Sequence, residues 1–182
     1  MFIVIEGADG CGKSTLCPIL AKKLGAVAYA TPPRKYLVIR ERVDKSSPPE
    51  EHYKFYRDGI YDASEEIGSI LANGGKIVSD RYWLSTYTYH QAMGVVVPAN
   101  DFLSVVTPTL TVILSLNYEV QAERMMHRGL SAGDRRVLDI QREITTLFYK
   151  NALEFNLPFV MIDTQRFSPE ACAEIVVKAI DL

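Results

Sequence analysis

The chain has 182 residues, with 20 Lys and Arg against 22 Asp and Glu and a formal net charge of −2. That length suits one domain with a substantial core, and the scattered, nearly balanced charge carries no nucleic-acid footprint. No apolar run approaches the roughly eighteen residues of a membrane span, and the chain enters a strand directly, leaving no room for a signal peptide. Cys11, Cys17 and Cys172 are odd in number and lack metal-ligand spacing, which fits reduced thiols in a cytoplasmic protein.

Residues 2–5 are an unbroken, β-rich apolar run, the pattern of a central parallel strand buried on both faces. Directly after it, Gly7-Ala8-Asp9-Gly10-Cys11-Gly12-Lys13-Ser14 fits G-x-x-x-x-G-K-[ST] at every fixed position, with Thr15 following. The glycines let the backbone approach phosphate oxygens, and loop N–H groups together with a helix N-terminus near Lys13 supply partial positive charge. Lys13 is expected to reach the β- and γ-phosphates and the Ser14 hydroxyl to hold Mg²⁺. A chance glycine-rich turn lacks this combination of preceding strand, following helix and three placed glycines. The stretch binds a nucleoside triphosphate. Cys11 inside the loop reads as a tolerated small residue.

Leu16, Ile19, Leu20 and Leu24 give a helix that tolerates Pro18 in its early turns and stops at Gly25. Residues 26–30 form a second strand, ended by Thr31-Pro32-Pro33. Arg34, just beyond, is placed to face the crevice at the strands' carboxyl ends or to remain a solvated loop charge. Residues 35–49 read as a short helix and a loop. Ile60, Ala63, Ile67 and Ile70 mark a long helix over residues 50–71, opened by the rings of Tyr53, Phe55, Tyr56 and Tyr61. More rings stand there than a packing stripe requires, so one or two are candidates to stack on a base.

Residues 76–79 give a third strand, running into Asp80 and Arg81. A carboxylate there is placed for Mg²⁺ or its water, and the planar fork of Arg81 suits a phosphate. Residues 85–93 are polar and tyrosine-rich, and residues 98–106 are expected to be a short helix. A fourth strand covers residues 111–116. Over 119–129 a helix puts Arg124 and Arg128 on one face, and residues 130–136, with Arg135, read as a mobile arginine-dense loop. A helix with the stripe Ile140, Ile144, Leu147 and Phe148, a fifth strand over 159–162 and a closing helix over 169–180 complete one doubly wound α/β domain over residues 1–182.

These residues carry a resemblance. Glu6-Gly7, Asp9 and Gly12-Lys13-Ser14-Thr15, with Asp80-Arg81-Tyr82, Ser85-Thr86 and Tyr89, resemble the thymidylate kinase family of P-loop nucleoside monophosphate kinases. Thr31-Pro32-Pro33, Phe55-Tyr56, Gly59, Tyr61 and Ala63-Ser64-Glu65-Glu66-Ile67 are similar to its UMP/CMP kinase 2 branch. The resemblance implies a P-loop NTPase fold with a five-stranded parallel sheet, flanking helices and an arginine-rich lid near residues 128–137. It also implies transfer of the ATP γ-phosphoryl group, with Mg²⁺, to a pyrimidine nucleoside monophosphate by a homodimer. By position, Asp9 takes the acceptor's 3′-hydroxyl, Arg34 and Arg81 its phosphate, and Phe55 its base. Ser85 joins that substrate side, Tyr89 crowds out a ribose 2′-hydroxyl, and Arg128 with Arg124 or Arg135 covers the ATP phosphates. Gly10 stands where some members carry a catalytic arginine, Gly59 where a base-reading arginine is usual, and His90 where glutamine is common. The last two relax the expected base choice, with dTMP first and dUMP, dCMP, UMP and CMP as alternatives.

Two other readings fit a phosphate loop. A nucleoside kinase needs a carboxylate base and less cationic charge at its acceptor, and a GTPase-type switch needs an Asn-Lys-x-Asp run that this sequence lacks.

Overall fold

The computed structural model describes residues 1–180. Its centre is a five-stranded, all-parallel sheet in the order β2-β3-β1-β4-β5. The strands are β1 (Phe2–Gly7), β2 (Val27–Ala30), β3 (Ile77–Asp80), β4 (Leu110–Ser115) and β5 (Phe159–Asp163). Alternate β1 residues feed two cores. Phe2 and Val4 pack with Ile77 and Ile113 on one face, Ile3 and Ile5 with Val78, Val112 and Leu114 on the other. That double burial is why β1 is apolar without alternation.

Helix α1 (Lys13–Leu24) and α8 (Pro169–Ile180) cover the second face. α1 ends at Gly25 in the left-handed region, φ 60°. The first face carries α3 (Pro49–Ala72), α4 (Trp83–Ala92) and α7 (Gln141–Glu154). Pro49 and the acids Glu50 and Glu51 suit the start of α3. Between β2 and α3 run a single 3₁₀ turn, Arg34–Tyr36, and α2 (Leu37–Ser46). After β4 come α5 (Tyr118–Arg128), capped by the Asn117 side chain, and the short α6 (Ala132–Arg136).

Two expectations are corrected. Residues 98–106 form consecutive turns, not a helix; Phe102 and Val105 are buried there, but they anchor a loop whose neighbours Leu103 and Ser104 are exposed. Residues 130–136 are not an irregular loop: the Ser131 side chain accepts from the Asp134 N–H while the Asp134 carboxylate accepts from the Ser131 N–H, a capping box that starts α6. The polar segment after Tyr82 is the helix α4. It is buried from Trp83 through His90 and so shows no one-sided stripe.

β1 pairs with β3 on one side and β4 on the other, while the chain leaving β1 runs to the far edge at β2. The phosphate loop therefore opens at the point where the strand order reverses, the crevice in which open α/β sheets bind ligands.

Candidate active site

The loop's tight course is set by its neighbours. A Cβ on Gly7, at φ 133°, would sit 2.4 Å from the Leu114 carbonyl oxygen. One on Gly10, at φ 79°, would sit 3.0 Å from Met125 Cγ and 3.3 Å from the Gln121 carbonyl oxygen of α5. The loop is pressed under α5, which a side chain at position 10 would meet. Ala8 and Cys11 are buried, Gly12 opens on free space, and Ser14 and Thr15 are exposed at the first turn of α1. Lys13 Nζ lies across its own loop, donating to the carbonyls of Gly7 (3.0 Å) and Ala8 (2.6 Å). Ser14 Oγ donates to Asp80 Oδ2 at 2.6 Å. Two hard oxygen donors at the mouth of the loop fit Mg²⁺, which takes one or two protein oxygens and fills its octahedron with phosphates and water. Among the described residues no three His, Cys, Asp or Glu side chains converge as a full protein cage.

Arg81 is the hinge of the site. It leaves β3 with φ 68°, rare for a residue with a side chain, and the turn is held by Ser79 Oγ donating to the Arg81 carbonyl. Its guanidinium ion-pairs with Asp9 and donates to the Gly7 carbonyl (3.2 Å) and Ser85 Oγ (2.9 Å). Asp9 Oδ2 also accepts from Tyr89 Oη (2.9 Å) and Gln141 Nε2 (3.0 Å). Burial alone would raise the Asp9 pKa, but the charges of Arg81 and Lys13 and these hydrogen bonds hold it well below the usual carboxylate range. Asp9 is therefore an anion throughout the physiological range.

Beneath them sits Glu6, fully buried. It accepts from the backbone N–H groups of Tyr82 (3.0 Å) and Ser85 (3.2 Å) and from Ser85 Oγ. Burial pushes its pKa up to about 7, against the pull of Ser85 and Arg81. Ser85 thus bridges a buried acid and the site's central cation.

The remaining cleft is walled by α2 and α3, with α6 along its rim. Besides Asp9, Arg81, Ser85, Tyr89 and His90 it is lined by Arg40, Asp44, His52, Tyr56 and Arg136. His90 faces the Thr86 carbonyl through Nδ1 (2.6 Å) and His52 Nδ1 through Nε2 (2.7 Å). Burial lowers its pKa to about 3, so the ring is neutral.

Several residues singled out by resemblance stand elsewhere. Arg34 is exposed in the 3₁₀ turn and does not line the cleft. Phe55 is edge-on to Tyr36 and Tyr56, centroids 5.2 Å away in each case, and also lies outside the lining. Gly59 is buried against Pro32 and Tyr36. Arg124 and Arg135 are exposed, and Arg128 forms a two-pronged pair with Asp134 (2.9 and 2.8 Å). Arg40, Asp44, His52 and Gln141 enter the site from segments that carried no functional signal, and Arg136 from the arginine-dense stretch 130–136. Glu6 did give one, as the single charged residue in an apolar strand.

A glycine loop beneath a parallel switch point, with Lys13, Ser14 and Asp80 at its mouth and arginines beside it, defines a P-loop phosphotransferase-type domain. The profile of the family described as Thymidylate kinase matches residues 5–175, and the chain belongs to that family. The probable thymidylate kinase of Archaeoglobus fulgidus is 30% identical, over 96% of this chain and 92% of its own length. The structure of the Candida albicans thymidylate kinase superposes with a TM-score of 0.78 at 20% identity, covering 99% of this chain and 90% of that one. A deoxyadenosine kinase from M. mycoides with bound dATP gives 0.77 at 17% identity, with both chains fully covered. At these identities the two structures share the fold.

Proposed function

We propose that the protein is a thymidylate kinase-type nucleoside monophosphate kinase, transferring the ATP γ-phosphoryl group to a pyrimidine deoxynucleoside monophosphate, with dTMP the first acceptor. The observation that carries this is the shared position of Arg81. It touches the phosphate loop at Gly7 and the acceptor side at Asp9 and Ser85, so one cation stands between donor and acceptor. Membership of the thymidylate kinase family and the relatives named above support the acceptor.

The mechanism follows from charge. An acceptor phosphate oxygen is already an anion and needs no strong base; the barrier lies in bringing two polyanions into line. Arg81 binds the acceptor phosphate, and Lys13 leaves its loop carbonyls for the β- and γ-phosphates when ATP supplies better acceptors. Ser14 and Asp80 would hold Mg²⁺, which would supply charge neutralisation at the phosphates. Arg128, with Arg124 or Arg135, covers the transferring group; an arginine in this role is worth about 10³- to 10⁵-fold in rate. By family position Asp9 accepts from the sugar's 3′-hydroxyl and Tyr89, whose hydroxyl donates to Asp9, crowds out a 2′-hydroxyl. A homodimer in the cytoplasm completes the reading, by analogy with the family.

The deoxyadenosine kinase likeness raises transfer to a sugar hydroxyl as a second reading. Against it stand the family match and the thymidylate kinase relatives; the cleft lining itself balances Arg40, Arg81 and Arg136 against Asp9, Asp44 and Asp134. The test is ADP release measured with dTMP, dUMP, dCMP, UMP, CMP and the free deoxynucleosides. Deoxynucleotides fast, ribonucleotides slow and nucleosides inert is the expected order; turnover with nucleosides alone overturns it.

A further inference from the structure

The cleft wall on α2 and α3 holds a chain of buried polar groups that phosphoryl transfer does not use. His90 Nδ1 points at a carbonyl and must donate, so in the neutral ring Nε2 accepts, and the proton between the histidines belongs to His52 Nδ1. His52 Nε2 lies 3.2 Å from Asp44 Oδ1, which also accepts from Tyr56 Oη at 2.8 Å. Both His90 nitrogens are then spent inside the protein, and His90 has nothing left to offer a base.

The groups left over belong to α2. Asp44 is 6% exposed, yet among the described residues its Oδ2 accepts no hydrogen bond; the nearest cation is Arg40 Nε at 3.5 Å. Burial works against its ionisation, but hydrogen bonds from His52 and Tyr56 and the charge of Arg40 hold its pKa below the ordinary value. It presents an acceptor only. Arg40 uses Nε on Tyr56 Oη at 3.0 Å, and both residues line the cleft. Gly133 of α6 keeps room beside this oxygen: a Cβ there would come within 3.2 Å of Oδ2. A carboxylate oxygen with no hydrogen bond from the protein, beside a guanidinium and on a residue that lines the ligand cleft, is an acceptor open to a ligand's donor.

We propose that Arg40 and Asp44 are specificity-determining residues that read the edge of the acceptor's base, and that they suit cytosine. An acceptor beside a two-pronged donor complements an exocyclic amine next to a ring nitrogen and carbonyl. Asp44 Oδ2 takes the amine, and the Arg40 fork takes the ring nitrogen and the adjacent oxygen. Against thymine the same carboxylate meets a carbonyl, two acceptors face to face. His52 and His90 act as positioning residues that hold Asp44 ionised and oriented. The inference rests on the kinase reading above and assigns the choice between dCMP and dTMP to these two residues.

The test compares kcat/KM for dCMP and dTMP in wild type, Asp44→Asn and Arg40→Met, with dCMP binding measured separately by calorimetry. Wild type is expected to bind and phosphorylate dCMP. Asp44→Asn is expected to lower the dCMP-to-dTMP ratio by about ten- to hundredfold, since an asparagine amide suits the thymine carbonyl. Arg40 is partly exposed, so Arg40→Met tests the pair even if Asp44→Asn fails to fold; it should raise KM more for dCMP than for dTMP. A wild type that phosphorylates dTMP but neither binds nor phosphorylates dCMP overturns this inference alone, as does an unchanged ratio in the folded variants. A protein that binds dCMP but phosphorylates no monophosphate overturns the kinase reading instead.

Discussion

Arg136 of α6 donates to the main-chain carbonyl of Asp44, 3.0 Å away and 92 positions earlier in the chain. A second bond from the same guanidinium reaches the Ser47 carbonyl. Together they lay α6 across the end of α2, and so across the cleft. Each such charged hydrogen bond is worth about 1.5–3 kcal/mol when well formed. Arg136→Ala is therefore expected to lower the melting temperature by several degrees and to reduce kcat/KM for the acceptor by about tenfold or more. Steady-state kinetics with thermal denaturation checks this; a lowered melting temperature with unchanged kinetics would make the junction a folding device only.

Lys13 is held by two carbonyls of its own loop and is buried. Its removal takes one partner from each of two carbonyls, of which that of Gly7 keeps its bond from Arg81, so the fold should survive. Lys13→Ala is expected to lower kcat by about 10²-fold or more, the scale seen when one preorganised charge-stabilising donor is lost. Circular dichroism on the same sample confirms folding. Wild-type turnover would remove Lys13 from the reaction.

How much of this site could be read in the sequence divides along a physical line. Gly7 to Thr15 and Asp80-Arg81 were legible because phosphate chemistry demands fixed residue types at fixed short spacing. β1 and β4 were legible because burial on both faces leaves long apolar runs; the more exposed edge strands β2 and β5 showed as short apolar runs between turns. α4 was not, because a helix buried all round erases the one-sided pattern by which helices are recognised. Arg40, Asp44 and His52 were not, because their meaning lies in contacts between α2, α3 and α4 that no local spacing encodes. The Gln141–Asp9 bond joins residues 132 positions apart and is invisible for the same reason.

Arg128 has two claims on it. It pairs with Asp134, which caps α6, and by family position it covers the transferring phosphoryl group. Comparing two variants separates these. Arg128→Ala is expected to lower kcat by about 10³-fold with little change in acceptor KM. Asp134→Ala, which loses the cap and the ion pair but keeps the arginine, should lower kcat by only about tenfold. Equal losses would mean that Arg128 serves only to hold α6.

Glu6 makes stability depend on pH in an unusual direction. Burial raises its pKa from 4.5 to about 7. Between those values the folded protein keeps a proton that the unfolded chain releases, so Glu6's contribution is full below about pH 4.5, declines as pH rises, and is gone above 7. The interval corresponds to about 3 kcal/mol. Glu6→Gln cannot ionise, so its stability relative to wild type is expected to rise by about that amount from pH 4.5 to pH 8. Urea unfolding of both proteins at the two pH values measures it. A constant difference would show that Glu6 is ionised in the folded state at both.

The resemblance places Gly59 where a base-reading arginine is usual, so that restoring the arginine would sharpen selectivity for dTMP. Packing gives another account. A Cβ at this buried position would lie 3.0 Å from Pro32 Cβ and 3.7 Å from the Tyr36 ring. The segment after β2 is laid directly on α3 there, and Tyr36 is fixed by its hydroxyl bond to Asp62 on the same helix. An alanine gains about 1 kcal/mol of helix propensity over glycine. Overpacking costs about 1–3 kcal/mol, and a proline ring has little freedom to retreat. Gly59→Ala is therefore expected to lose about 1 kcal/mol net, and Gly59→Arg more, with the dTMP-to-dCMP ratio in the arginine variant lower or unchanged rather than sharpened. Denaturant unfolding of the alanine variant decides the packing question; a stabilised protein would mean that Pro32 yields and that position 59 is open to a longer side chain.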